Sequence, residues 1–345
     1  MSANPNNVKA GVARPDWYQD VIKYQQPDLG KAIWQLVNTF VPYAILWALM
    51  IYTVQLGVPY WITLALAVVT AGFVVRIFIF FHDCGHGSFF ASRRANTILG
   101  YITGILTFAP YEDWRHNHGI HHATVGDLDR RGVGDVYTMT VEEYLAAPRL
   151  RRLAYRLLRH PLILFGLGPW FMFLILYRLP HKESKRRQRY SVYLTDLAIV
   201  VIIGVASLTI GLRTYLLIQL PITFVSSTLG LWLFYVQHQF EGVYWARHGE
   251  WDSTRAALEG SSYYKLPKVL QWFTGNIGLH HIHHVRARIP NYNLQQCYDE
   301  VPAMQAVKPL TIRNSLKALR FNLYDERQKK LVSFRSLRAL PQQAR

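Results

Sequence analysis

The sequence predicts an all-α integral membrane protein. About four transmembrane helices are expected, with interfacial or re-entrant helices beside them and a cytoplasmic histidine-rich cap holding a dimetal site. Three observations predict this. Apolar residues make up 51% of the 345 and charged residues 17%, against about 25% charged in a soluble domain. Uncharged stretches long enough to cross a bilayer recur along the chain. Fourteen histidines fall mainly in tight clusters beside those stretches.

The balance of charge narrows the class further. Thirty-eight Lys and Arg against 21 Asp and Glu give a net charge of +17. Basic proteins that bind nucleic acid are polar, whereas this one is apolar, so its charge fits basic loops on one side of a membrane. Two cysteines, Cys84 and Cys297, are too few for a disulfide framework, a cysteine-rich zinc site or an iron–sulfur cluster.

The first two spans come from one run. No charged residue occurs from 32 to 75, more than twice the roughly 20 helical residues a bilayer needs. Gly57-Val58-Pro59 divides it into a helix near 34–56 and a second from about Tyr60. A second pair is expected near 197–212 and 215–237, with Arg213 in the connection. Other loops are basic, as in Arg149 to Arg159 and Lys182 to Arg189. The positive-inside bias therefore puts both termini and the loop 82–195 in the cytoplasm. Residues 97–110 are too short to span. Residues 164–180 have basic flanks at both ends and are expected to lie at the interface or re-enter. One membrane domain over 1–345 is expected, with a cytoplasmic segment at 1–30 and a basic tail at 303–345. In the tail, Leu316, Leu319, Phe321 and Leu323 among basic residues fit an amphipathic helix on anionic lipid, or a cytosolic helix packed on the protein. Residues 1–30 are polar and carry both charge signs, unlike a signal peptide, and transit and retention signals are absent, so a bacterial cytoplasmic membrane is expected.

Histidine spacing carries the chemistry. His82 and His86 follow the second apolar run directly, one helical turn apart on one face. His118, His121 and His122 repeat an i, i+3, i+4 pattern, as do His280, His283 and His284. His238 falls at the inner end of the fourth expected span. These make nine imidazoles, too many for a single zinc with three or four protein ligands and suited to two metals. Imidazole accommodates iron, copper, nickel and zinc alike, so ligand type does not name the metal. His116 and His281 lie inside the clusters but off the repeated spacing, and His160, His181 and His248 are left over. Asp83, Asp129 and Asn276 are candidates to hold ring N–H groups from behind.

The segments FHDCGHGSF at 81–89, DWRHNHGIHH at 113–122, FYVQHQFEG at 234–242 and GLHHIHHVRARIPNYNL at 278–294 resemble the membrane fatty acid desaturases. The likeness is closest to acyl-lipid enzymes of the Δ12 or ω-6 kind and covers the chain from the first span to Leu294. Carried over position by position, it makes His82, His86, His118, His121, His122, His238, His280, His283 and His284 the metal ligands. It also implies two non-haem iron ions, O₂ as oxidant and a cis double bond formed in a long acyl chain of the membrane lipid. The chain has no dinucleotide fingerprint, haem attachment motif or cluster-forming cysteines, so the electrons require an external carrier, ferredoxin-like or cytochrome b5-like. Related membrane hydroxylases and monooxygenases use similar boxes and differ in product. A metal transporter is the reading from another class, but transporter sites lie near the bilayer midplane, and these spans carry no histidine near their centres.

Overall fold

The computed structural model describes residues 15–339. The first 14 residues of the expected N-terminal segment and residues 340–345 of the tail lie outside them. A short helix α1 (Tyr18–Ile22) leads into α2 (Leu29–Gln55), whose first turn is capped by Asp28 accepting from the Lys31 amide. Gly57, at φ +67°, turns the chain into α3 (Tyr60–His86). Helix α3 runs unbroken into the first histidine box and stops where Gly87 adopts the left-handed conformation that ends helices.

Helix α4 (Arg93–Leu106) is 14 residues, about 21 Å, short of the ~30 Å hydrocarbon core. Helix α5 (Tyr111–Thr124) begins after Pro110 with Glu112 and Asp113 complementing its dipole, and carries the second box. Helix α6 (Val141–Ala146) starts with a Thr140/Glu143 capping box. Helix α7 (Arg149–Leu158) has leucines exposed among its arginines. After it the chain bends by 62° into a π-helical turn at Leu162–Leu167 and α8 (Gly168–Leu174), the geometry of a broken span or re-entrant segment.

The second helical pair needs a correction. Helix α9 (Arg186–Thr209) starts well before 197, because Asp196 inside it is paired with Arg178 at 2.7 Å and does not interrupt the helix. The turn sits at Ile210-Gly211, and Arg213 lies in the first turn of α10 (Leu212–His238) rather than in the connection. Helices α2, α3, α9 and α10 are the four described helices long and apolar enough to cross a membrane. Helix α3 is the central one, with 61% of its apolar window buried against 17–33% in the others. The outward faces of α2 and α9 expose Trp34, Tyr52 and Leu208, as lipid-facing helices do.

Beyond α10 the chain builds a cap. It contains α11 (Ser253–Leu258), strand β1 (Tyr263–Lys265), α12 (Lys268–Phe273), α13 (His280–Val285) with the third box, and α14 (Asn291–Glu300). Strand β2 (Pro309–Thr311) pairs in parallel with β1, and β3 (Leu323–Asp325) pairs antiparallel with β4 (Lys330–Val332). The tail is therefore not the single helix expected. It buries Ala318, Leu323 and Val332 in short turns and a hairpin while leaving Leu316 exposed.

One buried charge ties cap to membrane helix. Arg76 of α3 is buried, donates to Thr39 Oγ1 and to the Trp272 carbonyl, and lies 4.1 Å from the Trp272 ring. A cation there meets the C-terminal carbonyls of α12, where the helix dipole favours it. The turn Thr274–Leu279 that follows leads directly to His280.

Candidate metal centre

The four histidine-bearing elements end at the same place. His82 and His86 close α3, His238 closes α10, and α5 and α13 lie against those ends with their boxes inward. The nine imidazoles form two groups. One holds His82, His86, His118, His122 and His283, the other His121, His238, His280 and His284, and within each the nearest ligand nitrogens all lie within 4.8 Å of one another. The division cuts across the boxes. On α5 the one-turn pair His118/His122 joins one group while His121 faces the other, and on α13 His280/His284 and His283 divide likewise. An i, i+4 pair is about 40° apart around a helix, so it converges, whereas i+3 and i+4 diverge by about 100°.

The nitrogens meet in a way that protons alone do not satisfy. Nε2 atoms face Nε2 atoms: His86–His118 at 3.0 Å, His118–His122 at 3.1 Å, His122–His283 at 3.0 Å. In the second group the contacts are His121–His238 at 3.1 Å, His238–His280 at 2.9 Å and His280–His284 at 3.1 Å. The Nδ1–H of His238 donates to the Gly260 carbonyl at 3.1 Å, so its Nε2 offers a lone pair, which two other Nε2 atoms approach. Nitrogens bound at about 2.1 Å to one metal stand about 3 Å apart when they subtend a right angle. The donor set thus fits transition-metal ions. Burial, reinforced by the neighbouring imidazoles, holds His118, His121, His122, His280, His283 and His284 well below the usual imidazole range. They are neutral at physiological pH, the form that binds metal.

A polar chain stands behind His82. Its Nδ1 bonds Asp83 Oδ1 at 3.0 Å, and Asp83 Oδ2 accepts from the Asn291 backbone and side-chain amides at 2.7 and 2.9 Å. Asn291 in turn accepts from Gln35 of α2 at 2.9 Å. Asn291 was not among the sequence candidates, although it lies within the quoted segment 278–294. Asn276 supports the site only through it, donating to the Asn291 carbonyl at 3.1 Å. Asp129 is turned away, binding Arg247 at 2.6 Å and the His248 amide at 2.9 Å. Of the remaining histidines, His116, His160, His181 and His248 are exposed. His281 is buried with its Nε2–H on the Met304 carbonyl at 3.0 Å, and burial pushes its pKa down to about 4. Trp114 stacks on His118 with centroids 4.3 Å apart.

A cavity of about 580 Å³ opens beside this centre, touching His82, His118 and His280. That volume is within the range of ligand pockets, about 300–1,000 Å³. One face of α10 lines it at Gln219, Thr223, Ser227, Gly230, Phe234 and Gln237.

The family model for fatty acid desaturases matches residues 58–313, which includes all three boxes. A protein of Bacillus subtilis (strain 168) named fatty acid desaturase is 48% identical over 323 residues, covering 94% of this chain and 91% of its own length. This chain belongs to the fatty acid desaturase family. A Picosynechococcus sn-1 oleoyl-lipid 12-desaturase is 25% identical, over 70% of each chain. A Nostoc sn-1 acyl-lipid omega-3 desaturase (ferredoxin) is 24% identical, over 68% of this chain and 64% of its own. The protein is therefore an enzyme, a fatty acid desaturase with an all-α membrane fold, and its histidine clusters could hold metal ions. Metal transport is set aside on the same ground.

Proposed function

We propose that this desaturase uses two iron ions, held by the nine imidazoles, to place a cis double bond in a long acyl chain linked to membrane lipid. The observation that carries the reading is the convergence of two imidazole sets at one end of an apolar, acyl-sized cavity. Bound iron supplies the O₂ activation needed to take two hydrogens from an unactivated methylene pair. The reaction R–CH₂–CH₂–R′ + O₂ + 2e⁻ + 2H⁺ → R–CH=CH–R′ + 2H₂O balances with electrons from an external carrier.

The protein's own contributions are position and environment. Neutral imidazoles point their lone pairs inward, and Asp83 and Gly260 set the orientation of His82 and His238. The cavity walls hold the chain in one conformation beside the centre and keep bulk water from it. Ligands come from membrane helices and cap alike, so we take the chain as one functional domain. The net charge of +17 favours an acidic carrier, ferredoxin-like or cytochrome b5-like, steered to the cytoplasmic face. The basic loops support a reading in which the spans cross a bacterial cytoplasmic membrane with termini and boxes on its cytoplasmic side.

Two positions for the bond are separable. The Δ12 position is supported by the flanks of the boxes and by distant relatives such as the Picosynechococcus enzyme. A position nearer the carboxyl end is favoured by depth. The cavity follows α10 from Gln237 to Gln219, about 27 Å at 1.5 Å per residue, where the short methyl-side tail beyond a Δ12 bond needs little of it. The test is expression in a host with saturated and monounsaturated lipids, with double bonds located by mass spectrometry. New unsaturation is expected. A new hydroxyl group instead, or unchanged lipids with iron-loaded protein present, contradicts the reading.

A further inference from the structure

The histidine boxes have two faces. In each box the first imidazole, His82, His118 or His280, lines the cavity, whereas the one a helical turn further on, His86, His122 or His284, does not. Those three later rings are the partly exposed members of the nine. They also touch one another: His86 and His122 have centroids 4.6 Å apart, and His122 stacks on His284 at 4.2 Å. Together they make a strip of imidazole edges at the surface, outside the cavity. The strip belongs to both groups, since His86 and His122 are in the larger and His284 is in the smaller.

The ground beside the strip is low and basic. Arg115 and Gly119 precede His122 by seven and three residues, which puts them on its side of α5. Gly119 is exposed, and a Cβ added there would meet nothing within 4 Å. Gly87, which ends α3 beside His86, and Ala123 are exposed too, so these positions raise no large side chain over the rings. Arg115 reaches from α5 to α3, donating to the Gly85 carbonyl at 3.0 Å while its side chain stays 46% exposed. Arg93, Arg94 and Arg288 lie within eight residues of His86 or His284 and are exposed, and none pairs with a carboxylate among the described residues. Glu112, three residues before Arg115, is buried and already held between Arg115 at 3.5 Å and Arg187 at 2.6 Å.

Resting on the desaturase reading, we infer that electrons enter through this strip: a small acidic one-electron carrier protein docks over His86, His122 and His284, its negative face held by Arg115, Arg94 and Arg288. Charge complementarity selects that occupant. The surface offers imidazole edges, glycines and arginines rather than an apolar patch, and its unpaired positive charge steers and orients an acidic partner. Each docking delivers one electron and releases the oxidised carrier. Two dockings supply the two electrons of the reaction above, and the two protons come from water. The acyl chain and the carrier use separate faces of the boxes, so the substrate stays in the cavity while carriers exchange.

The test reads binding directly. Purified wild type, Gly119→Glu, Gly119→Lys and Arg213→Glu are titrated by surface plasmon resonance with an acidic [2Fe–2S] ferredoxin and, in parallel, an acidic cytochrome b5, and iron content is measured beside it. The ionic strength is about 10 mM, where charges act over ~30 Å. Wild type is expected to bind at least one carrier and to lose about tenfold in affinity by about 150 mM salt. Both Gly119 variants remove a helical glycine, which favours the fold. Gly119→Glu is expected to weaken binding about tenfold at unchanged iron content, and Gly119→Lys, of similar bulk, to retain it. Arg213 is 25 residues from His238 at the other end of α10, about 38 Å away. Arg213→Glu changes the net charge more and is expected to shift affinity less than about twofold. Equal binding by wild type and Gly119→Glu, or an equal loss in Arg213→Glu, overturns the inference. If Gly119→Glu does not accumulate, hydroxyl-radical footprinting of wild type decides: carrier protection over 115–123 supports the inference, and protection only elsewhere overturns it. Binding of neither carrier by wild type overturns it too, and 115–123 already protected in the protein alone then assigns the strip to another part of the chain or a second copy. Mapping of new double bonds in the expressing cells tests the desaturase reading separately, since binding requires no turnover.

Discussion

His118 and His116 stand two residues apart on α5 and face opposite surroundings. His118 is buried, with its Nε2 within 3.1 Å of two other imidazoles, while His116 is exposed. Alanine at His118 is expected to lose one iron and at least about 100-fold in turnover, and alanine at His116 to leave both unchanged. Iron analysis and lipid profiling of the two variants check this, and the reverse result would place the register elsewhere. Behind His82, Asp83→Asn and Asn291→Ala disturb the same hydrogen-bonded chain. Each is expected to weaken iron retention by about 10–100-fold, measured by competition with a chelator. The histidine patterns were legible because i, i+4 convergence is local. Asp129 and Asn291 were not, because which polar group reaches an imidazole depends on how α14 and the loop after α5 pack.

Helix α10 carries both a candidate metal ligand, His238, and a cavity wall, and its composition follows from that. Thr223, Ser227 and Gly230 keep one face narrow, so the cavity can run along the helix. At Gly230 an added Cβ would meet nothing within 4 Å. A larger side chain there enters the cavity without displacing protein. Gly230→Leu is expected to preserve fold and iron content while reducing conversion of 14- and 18-carbon chains alike, by about tenfold or more. Unchanged conversion at both lengths would show that the substrate does not pass this point. Helix limits followed sequence rules where Gly57 and Gly87 end helices, and departed from them at α9, where the Arg178–Asp196 pair allows a carboxylate inside an apolar helix. The tail misled because spaced leucines and basic residues fit an amphipathic helix, while its strands are defined by pairing with distant segments.

Across the molecule, the arrangement solves a problem of access. The acyl chain is apolar, whereas protons come from the aqueous phase and electrons from a carrier. Four spans place the cavity among lipid-facing helices, and a cap closes over their histidine-bearing ends. The rings of His86, His122 and His284 remain partly exposed, while the other six are buried. Nine imidazoles suggest four or five for each of two metals, but which imidazole joins which group could not be read from spacing, since it depends on how α5 and α13 are rotated against α3 and α10. The most direct measurement is iron stoichiometry with Mössbauer spectroscopy on purified, active enzyme. Two irons per chain in distinct nitrogen-rich environments, both lost together with activity on chelation, is the expected result. Full activity with one iron per chain, or with zinc in place of iron, would contradict the account.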